Sequence, residues 1–275
     1  MKIKSNAKIN LTLDIIGKRA DGYHLLRSVM QPIPLYDTIM IRQEKEDISI
    51  NCNLPYIPTD QRNLIYKAAQ LFFQKTGVQS GIHVAIEKQI PVGAGLGGGS
   101  SNAAAILIAL NAFYQTGISN EQLSEWSLSL GADVPFFIAN QTQLAEGIGE
   151  KLTLLPSMPA CELFLIMPPF SINTKWAFEQ LTTLDAPCKT DDMIAALQKG
   201  SIIDVAAQLG NQLEEVITKR YPQIKQFKQA LLKNGALGAS MTGSGSAVFG
   251  IFEKGTNIVS LKDLFGNCHC FIMSI

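Results

Sequence analysis

From Lys8 to Ile16 (KINLTLDII) apolar and polar residues alternate until Gly17 interrupts them, the two-residue period of a half-buried strand. Asp37 to Arg42 and Ile48 to Cys52 predict further short strands, and the β-branched run Ile82 to Ile86 predicts another. Between them the period lengthens. Leu64, Ala68, Leu71 and Phe72 fall on one face of a helix predicted over 63–74, with Gly77 as its stop. A second helix, over 102–115, carries Ala103, Ile106, Leu107, Leu110 and Phe113 at helical spacing and closes at Gly117. Ser119 and Gln122 form a capping-box pair that opens a third helix ending at Gly131. Asp133-Val134-Pro135 has the composition of one more helix start.

Beyond about Leu155 the texture changes, because Pro156, Pro159, Pro168, Pro169 and Pro187 punctuate the pattern. A strand is predicted over Cys161 to Met167, then two amphipathic helices over 190–209 and 221–234. A small-residue turn, ASMTGSGS, and the strands AVFGIF and CHCFIMSI close the chain. The proline cluster marks a boundary between lobes 1–155 and 156–275, and the class is α+β without repeats or low-complexity tracts.

Composition narrows the function more than the fold. The 275 residues are 47% hydrophobic and 17% charged, with 23 basic and 23 acidic side chains. A neutral chain has no surface suited to coating nucleic acid, so any recognition of phosphate must be local. The five cysteines (Cys52, Cys161, Cys188, Cys268, Cys270) are odd in number and mostly scattered, which favours a reducing compartment over a disulfide framework. Cys268-His269-Cys270 has no second cluster to complete a zinc site and reads as part of the last strand. The N-terminus lacks a secretory core, and no apolar run approaches the ~18 residues of a membrane helix. The expectation is a cytoplasmic protein with no nucleic-acid or membrane partner, either a monomer or a weak homodimer.

The candidate chemistry centres on PVGAGLGGGSSNAA, which places five glycines between 93 and 99. Glycine loses the most conformational freedom on ordering, so a mere connector of this composition is unfavourable. A Walker loop is excluded: Gly93 and Gly98 are correctly separated, but Gly99-Ser100 follows where lysine is needed. Gly93, Gly95 and Gly98 match a dinucleotide fingerprint literally, yet no acid-ended strand follows at the required spacing. What survives is the physics common to such loops. Unshielded backbone N–H groups leading into a helix N-terminus form an anion site. Ser100 and Ser101 stand where they cap that helix, donate to phosphate or hold magnesium.

PVGAGLGGGSSNAA resembles the phosphate loop of the GHMP kinases, the group that includes galactokinase, homoserine kinase and mevalonate kinase. The two extra glycines before the serine pair are similar to those of one branch, whose substrate alcohol carries a cytidine diphosphate. Other segments agree in order: Ala7-Lys8-Ile9-Asn10-Leu11, Arg19-Ala20-Asp21-Gly22-Tyr23-His24, Leu130-Gly131-Ala132-Asp133-Val134-Pro135, Ala145-Glu146-Gly147-Ile148-Gly149-Glu150 and Thr242-Gly243-Ser244-Gly245. The weakest match lies between Pro156 and Asn234. The resemblance implies a two-lobed fold: an N-terminal ribosomal-protein-S5-like α/β lobe and a C-terminal ferredoxin-like α+β lobe. It also implies ATP-dependent phosphorylation of a tertiary hydroxyl.

Carried over residue by residue, the resemblance makes Asp133 and Lys8 the catalytic pair. Read alone, Asp133 is equally a helix cap and Lys8 a solvated strand lysine. Asn10, two residues on and on the same strand face, joins the substrate side. Tyr23 and His24 would hold the cytosine, with Phe178 as the opposing ring and Thr174 and Ile148 bordering the nucleotide. Phe178 is otherwise a helix core position, and Trp176 is its neighbouring rival. Asn63, Leu64 and Lys88 fall on the ATP side, although Lys88 also suits a surface strand end. Pro91, Val92, Gly93, Ala94, Gly95, Leu96, Gly97, Gly98, Gly99, Ser100 and Ser101 form the ATP loop. Gly243, Ser244 and Gly245 would support it. Magnesium is expected with ATP, its ligand open among Ser100, Ser101 and Glu146. The rivals are a different GHMP kinase, whose substrate has no base to stack, and a nucleotide sensor without turnover. A side chain at Gly95 is expected to ruin ATP affinity and leave cytidine binding intact.

Overall fold

A computed structural model of the chain describes residues 1–181 and 187–275. In chain order the elements begin with β1 (Lys2–Asn10), β2 (Thr12–Lys18), β3 (His24–Glu44), β4 (Ile48–Cys52), α1 (Leu64–Thr76) and β5 (Gly81–Glu87). Then come α2 (Gly98–Phe113), α3 (Asn120–Ser127), α4 (Val134–Ala139), β6 (Gln143–Gly147), β7 (Lys151–Leu154), β8 (Cys161–Met167) and α5 (Thr174–Glu179). The chain ends with α6 (Thr190–Lys199), α7 (Ile202–Ala207), β9 (Gly210–Asn211), α8 (Glu214–Arg220), α9 (Gln223–Lys233), β10 (Gly238–Met241), β11 (Val248–Glu253) and β12 (His269–Ser274).

Two compact units divide these elements, and they interleave along the chain. The first holds Met1–Ala7, Leu35–Val92 and Gly97–Asn140; the second holds Lys8–Pro34, Gly93–Leu96 and Gln141–Ile275. The proline cluster after Leu155 marks a change of composition in chain order, whereas these units are defined by packing.

In the first unit β5 pairs parallel with β4 and antiparallel with Thr38–Glu44 of β3. Helix α1 packs on α2, and α4 packs on both α2 and α3. Asn63 begins α1 by accepting from the Ile65 N–H at 2.9 Å, and Gly77 ends it in the left-handed region at φ 71°. Phe72 from α1 is fully buried and lies 6.3 Å from the Tyr114 ring. In the second unit β10, β11, β8 and β12 form a four-stranded antiparallel sheet. Phe164, Ile166, Val248 and Phe252 of that sheet join Leu213, Ile217, Ile224 and Leu231 of the helices in one core cluster. Strand β6 pairs with β7 and with Leu26–Met30 of β3.

Several elements differ from the sequence expectations. The strand expected at Asp37–Arg42 is the far end of the 21-residue β3. Pro32 and Pro34 do not end it, because they fall between the β6 register (Leu26–Met30) and the β5 register (Thr38–Glu44). The strand expected over 8–16 is divided between β1 and β2. The helix expected over 190–209 breaks at Gly200, in the left-handed region at φ 69°, and restarts where Ser201 caps α7. Helix α2 starts four residues earlier than its apolar face suggests, inside the glycine run. No described helix is long and apolar enough to cross a membrane.

Phe72→Ala is expected to lower unfolding free energy by about 3–5 kcal/mol, since the cavity left by a buried ring cannot fully collapse. Urea unfolding followed by far-UV circular dichroism measures the loss.

Candidate active site

The second unit carries one half of the predicted constellation. Lys8 is 4% exposed and donates from Nζ to Asn10 Oδ1 at 2.6 Å, so the solvated-lysine alternative fails. Both side chains leave β1 on the same face, as a two-residue spacing requires. Asn10 is fixed from three directions. Its Nδ2 donates to Ser28 Oγ at 2.8 Å, its N–H donates to Thr242 Oγ1 at 3.0 Å, and that hydroxyl approaches Asn10 Oδ1 at 3.2 Å. Thr242 Oγ1 also lies 3.3 Å from the Gly95 carbonyl, and the Lys8 N–H donates to the Leu96 carbonyl at 3.0 Å.

The turn containing Gly243, Ser244 and Gly245 is held from beneath. Asn211 Nδ2 donates to the carbonyls of Met241 at 2.9 Å and Gly243 at 2.8 Å. Ser244 Oγ meets Thr174 Oγ1 at 2.7 Å, which ties the start of α5 to this turn. Gly93 and Gly95 both adopt positive φ, at 71° and 79°. A Cβ on Gly95 would overlap the Thr242 carbonyl, and one on Gly243 would press on Gly95 Cα at 3.2 Å. The missing side chain at Gly95 makes room for another backbone, and through Thr242 that backbone also fixes Asn10.

The rings of His24 and Phe178 lie 5.4 Å apart with 31° between their planes. Trp176 packs edge-on against Tyr221 at 6.0 Å and under Arg220, so the two aromatic candidates face different neighbours. Tyr23 follows a turn in which its N–H donates to Asp21 Oδ1 at 3.2 Å, and Tyr23 itself is 62% exposed. The Ile148 N–H donates to Glu150 Oε2 at 2.6 Å, closing the glycine turn after β6. Glu146, a candidate magnesium ligand, accepts from Arg27 Nε at 3.1 Å, while the rest of that guanidinium pairs with Asp191 at 2.8 Å. Burial, with Lys18 adding repulsion, holds the His24 imidazole below its ordinary pKa of 6.5.

The first unit carries the other half. Gly97, at φ 72°, is the N-cap of α2 and supplies no side-chain cap, so the serines do not cap the helix as expected. They lie within its first turn, Ser100 half-buried and Ser101 2% exposed. The leading N–H groups of a helix have no partner within it, and this end has no side-chain cap. A Cβ on Gly99 would touch Leu64 Cδ1 at 3.5 Å, which puts Leu64 beside that turn. Asn63 spends its amide on capping α1 and on the Pro58 carbonyl at 2.7 Å. Asp133 occupies the N-cap position of α4 and makes no side-chain cap bond there.

Lys88 is no surface lysine. Its ammonium is buried with Asp37 at 2.5 Å and with Asn102 Oδ1 at 3.1 Å. Sequence reasoning missed Asp37 and Asn102, although an acid inside the apolar run LYDTIMI was a visible signal. It also missed Ser28 and Asn211, for which no local pattern exists. His83 shares a hydrogen bond with Ser49 at 2.8 Å.

Comparison with known proteins decides the family. The GHMP kinases N terminal domain matches residues 63–141, and the GHMP kinases C terminal domain matches residues 193–263. A 4-diphosphocytidyl-2-C-methyl-D-erythritol kinase of Clostridium botulinum (strain Eklund 17B / Type B) is 45% identical over 255 residues, 92% of this chain and 91% of the relative. The chain belongs to the GHMP kinase family. A second such kinase, of Lachnoclostridium phytofermentans, is 44% identical over 258 residues, covering 92% of this chain and 88% of its own. Among solved structures, a crystal structure of 4-(cytidine 5'-diphospho)-2C-methyl-D-erythritol kinase superposes with a TM-score of 0.86 at 30% identity, over 100% of this chain and 98% of that one. The two-lobed GHMP kinase fold expected from the motifs is therefore the fold of this chain.

Gly95→Ala is expected to impair ATP and cytidine-substrate use together, because an ångström's misplacement of a positioned group costs on the order of a hundredfold in kcat/KM. Separate titrations of the two substrates measure this. For His24, a depressed folded pKa means that the folded chain binds fewer protons than the unfolded one as pH falls below 6.5. His24 therefore subtracts nothing from stability above that pH and progressively more below it. The drop in melting temperature from pH 7.5 to 5.5, both values chosen to bracket the ordinary imidazole range, should be smaller in His24→Gln.

Proposed function

We infer that this chain is a small-molecule kinase that transfers the γ-phosphoryl group of ATP to the 2-hydroxyl of 4-diphosphocytidyl-2-C-methyl-D-erythritol. The products are the 2-phosphate and ADP, in the methylerythritol phosphate route to isoprenoid precursors. The observation that carries the substrate is the His24–Phe178 ring pair at 5.4 Å, in a chain that aligns over 92% of its length with kinases of that name. GHMP kinases whose substrates lack a base have no use for two facing rings at this position.

Each half of the constellation has a part in the chemistry. As the substrate oxygen bonds to the γ-phosphorus, the bond to the departing ADP oxygen breaks and the hydroxyl proton must be taken up. Asp133 orients that hydroxyl and accepts its proton. Lys8, buried and aligned by Asn10, offsets charge on the phosphoryl group in transit. The uncapped start of α2, from Gly97 to Ser101, receives the ATP phosphates on backbone N–H groups, and Leu64 borders the nucleotide. Gly243, Ser244 and Gly245 brace the Gly93–Leu96 stretch through Thr242. Tyr23, His24, Phe178, Thr174 and Ile148 take the cytidine end. Chain-order lobes 1–155 and 156–275 remain the proposed domain division.

Magnesium fits this site as an ion carried mainly by phosphates. No cluster of three His, Cys, Asp or Glu side chains suited to a metal occurs among the described residues, and magnesium bound with nucleotides needs only one or two protein ligands. Ser101 is buried and Glu146 is bonded to Arg27, which leaves Ser100 as the candidate ligand. When bound, the ion would neutralise charge on the β- and γ-phosphates.

Phosphorus NMR with ATP, magnesium and the cytidyl substrate should show a new monoester signal with stoichiometric ADP, and CMP should compete with the substrate alone. Asp133→Asn should lower kcat by about 100-fold or more with little change in either KM. Turnover of homoserine or phosphomevalonate instead, without CMP competition, would point to another branch of the family.

A further inference from the structure

Asp37 has no place in the chemistry above, yet it receives more hydrogen bonds than any other carboxylate described so far. Its Oδ1 accepts the N–H groups of Gln89 and Ile90, both at 2.8 Å. Its Oδ2 accepts Lys88 Nζ at 2.5 Å and Asn102 Nδ2 at 2.8 Å. The side chain is completely buried. These partners lie at the two ends of the glycine loop: Lys88 to Ile90 where the chain leaves β5, and Asn102 in the opening turns of α2. Ser5 Oγ takes the other Asn102 proton at 2.7 Å, and the Asn53 amide brackets the Lys88 backbone at 2.8 and 3.3 Å.

The ammonium itself presses on the phosphate-binding turn. A Cβ on Gly98, the first residue of α2, would come within 3.2 Å of Lys88 Nζ and 3.0 Å of Ile90 Cγ2. A buried ion pair seldom adds stability over apolar residues of the same volume. What it supplies is direction: each bond fixes an angle and a register that methyl groups leave loose. Here the bonds set where the helix starts relative to the strand end before it. They also hold a cation against the end of the helix where N–H groups face outward.

We propose that Asp37 is a positioning residue for nucleotide binding, acting through Lys88 and Asn102 to set the first turn of α2 under the ATP phosphates. The inference rests on the kinase function above, in which that turn receives ATP. Asp37→Asn keeps the shape and the backbone acceptor but leaves Lys88 without its carboxylate. In the exchange variant Asp37→Asn/Asn102→Asp, the carboxylate returns on the other side of the same ammonium.

The test is calorimetric titration of the full chain with ATP and, separately, with CMP, alongside melting temperatures. Asp37→Asn should weaken ATP binding about tenfold or more and leave CMP within about twofold. The exchange variant should recover ATP affinity to within about threefold of wild type. If Asp37→Asn does not fold, Asn102→Ala is read in its place and should weaken ATP alone. A merely structural pair would lower melting temperature and both affinities together, or leave ATP affinity unchanged in a folded variant; either result overturns the proposal. So does an exchange variant that regains wild-type melting temperature without ATP affinity. Wild-type protein that binds no ATP would overturn the kinase function and this inference with it. Wild type and Asp37→Asn binding ATP equally would overturn this inference alone.

Discussion

A single hydroxyl, Thr242 Oγ1, holds together three segments that are remote in sequence. It accepts the Asn10 N–H at 3.0 Å and lies 3.2 Å from the Asn10 side-chain oxygen and 3.3 Å from the Gly95 carbonyl. The hydroxyl accepts one N–H, and its single proton is shared between two carbonyl-type oxygens. Asn10 in turn aligns the Lys8 ammonium at 2.6 Å. The placement of a buried charge thus depends on a turn more than two hundred residues away, and that turn depends on Asn211 beneath it. Glycine at 95 follows from this packing. Two backbones approach each other too closely for a Cβ on either.

Charge is managed locally throughout. The chain has 23 basic and 23 acidic side chains and must bind two polyanionic ligands, so no general surface potential can serve. The chain does carry local positive charge, in backbone dipoles and buried lysines. The uncapped N-terminus of α2 presents N–H groups whose partial charge needs no counter-ion. Lys8 and Lys88 are each at least nine-tenths buried, which makes their fields effective over short distances. Burial also makes a partner obligatory. Removing one member of a buried pair costs about 3–5 kcal/mol, because the other is left uncompensated.

Ring contacts make different demands. His24 and Phe178 come from a strand and a short helix far apart in the chain, and their rings meet at 5.4 Å. Stacking of flat rings tolerates a partly exposed setting. Arg27, on the same strand as His24, bridges the carboxylates of Glu146 and Asp191, so the segment before the glycine turn after β6 is anchored there.

Much of this was legible in the residues alone. The glycine loop, the Lys8–Asn10 spacing, the Asp21-Gly22 turn and the capping of α1 and α3 are local patterns, and local sterics and hydrogen bonding decide them within a few residues. Even the family was readable, because its motifs are short and contiguous. The chain could not reveal that Pro32 and Pro34 sit inside one long strand, since only the pairing register shows where a missing N–H goes unnoticed. Nor could it reveal that Lys88 is buried or that Asp37 receives it. Each of those facts joins residues dozens to hundreds of positions apart. Burial, the partner of a buried charge and the facing of two rings are properties of packing, and packing is settled only when the whole chain has folded.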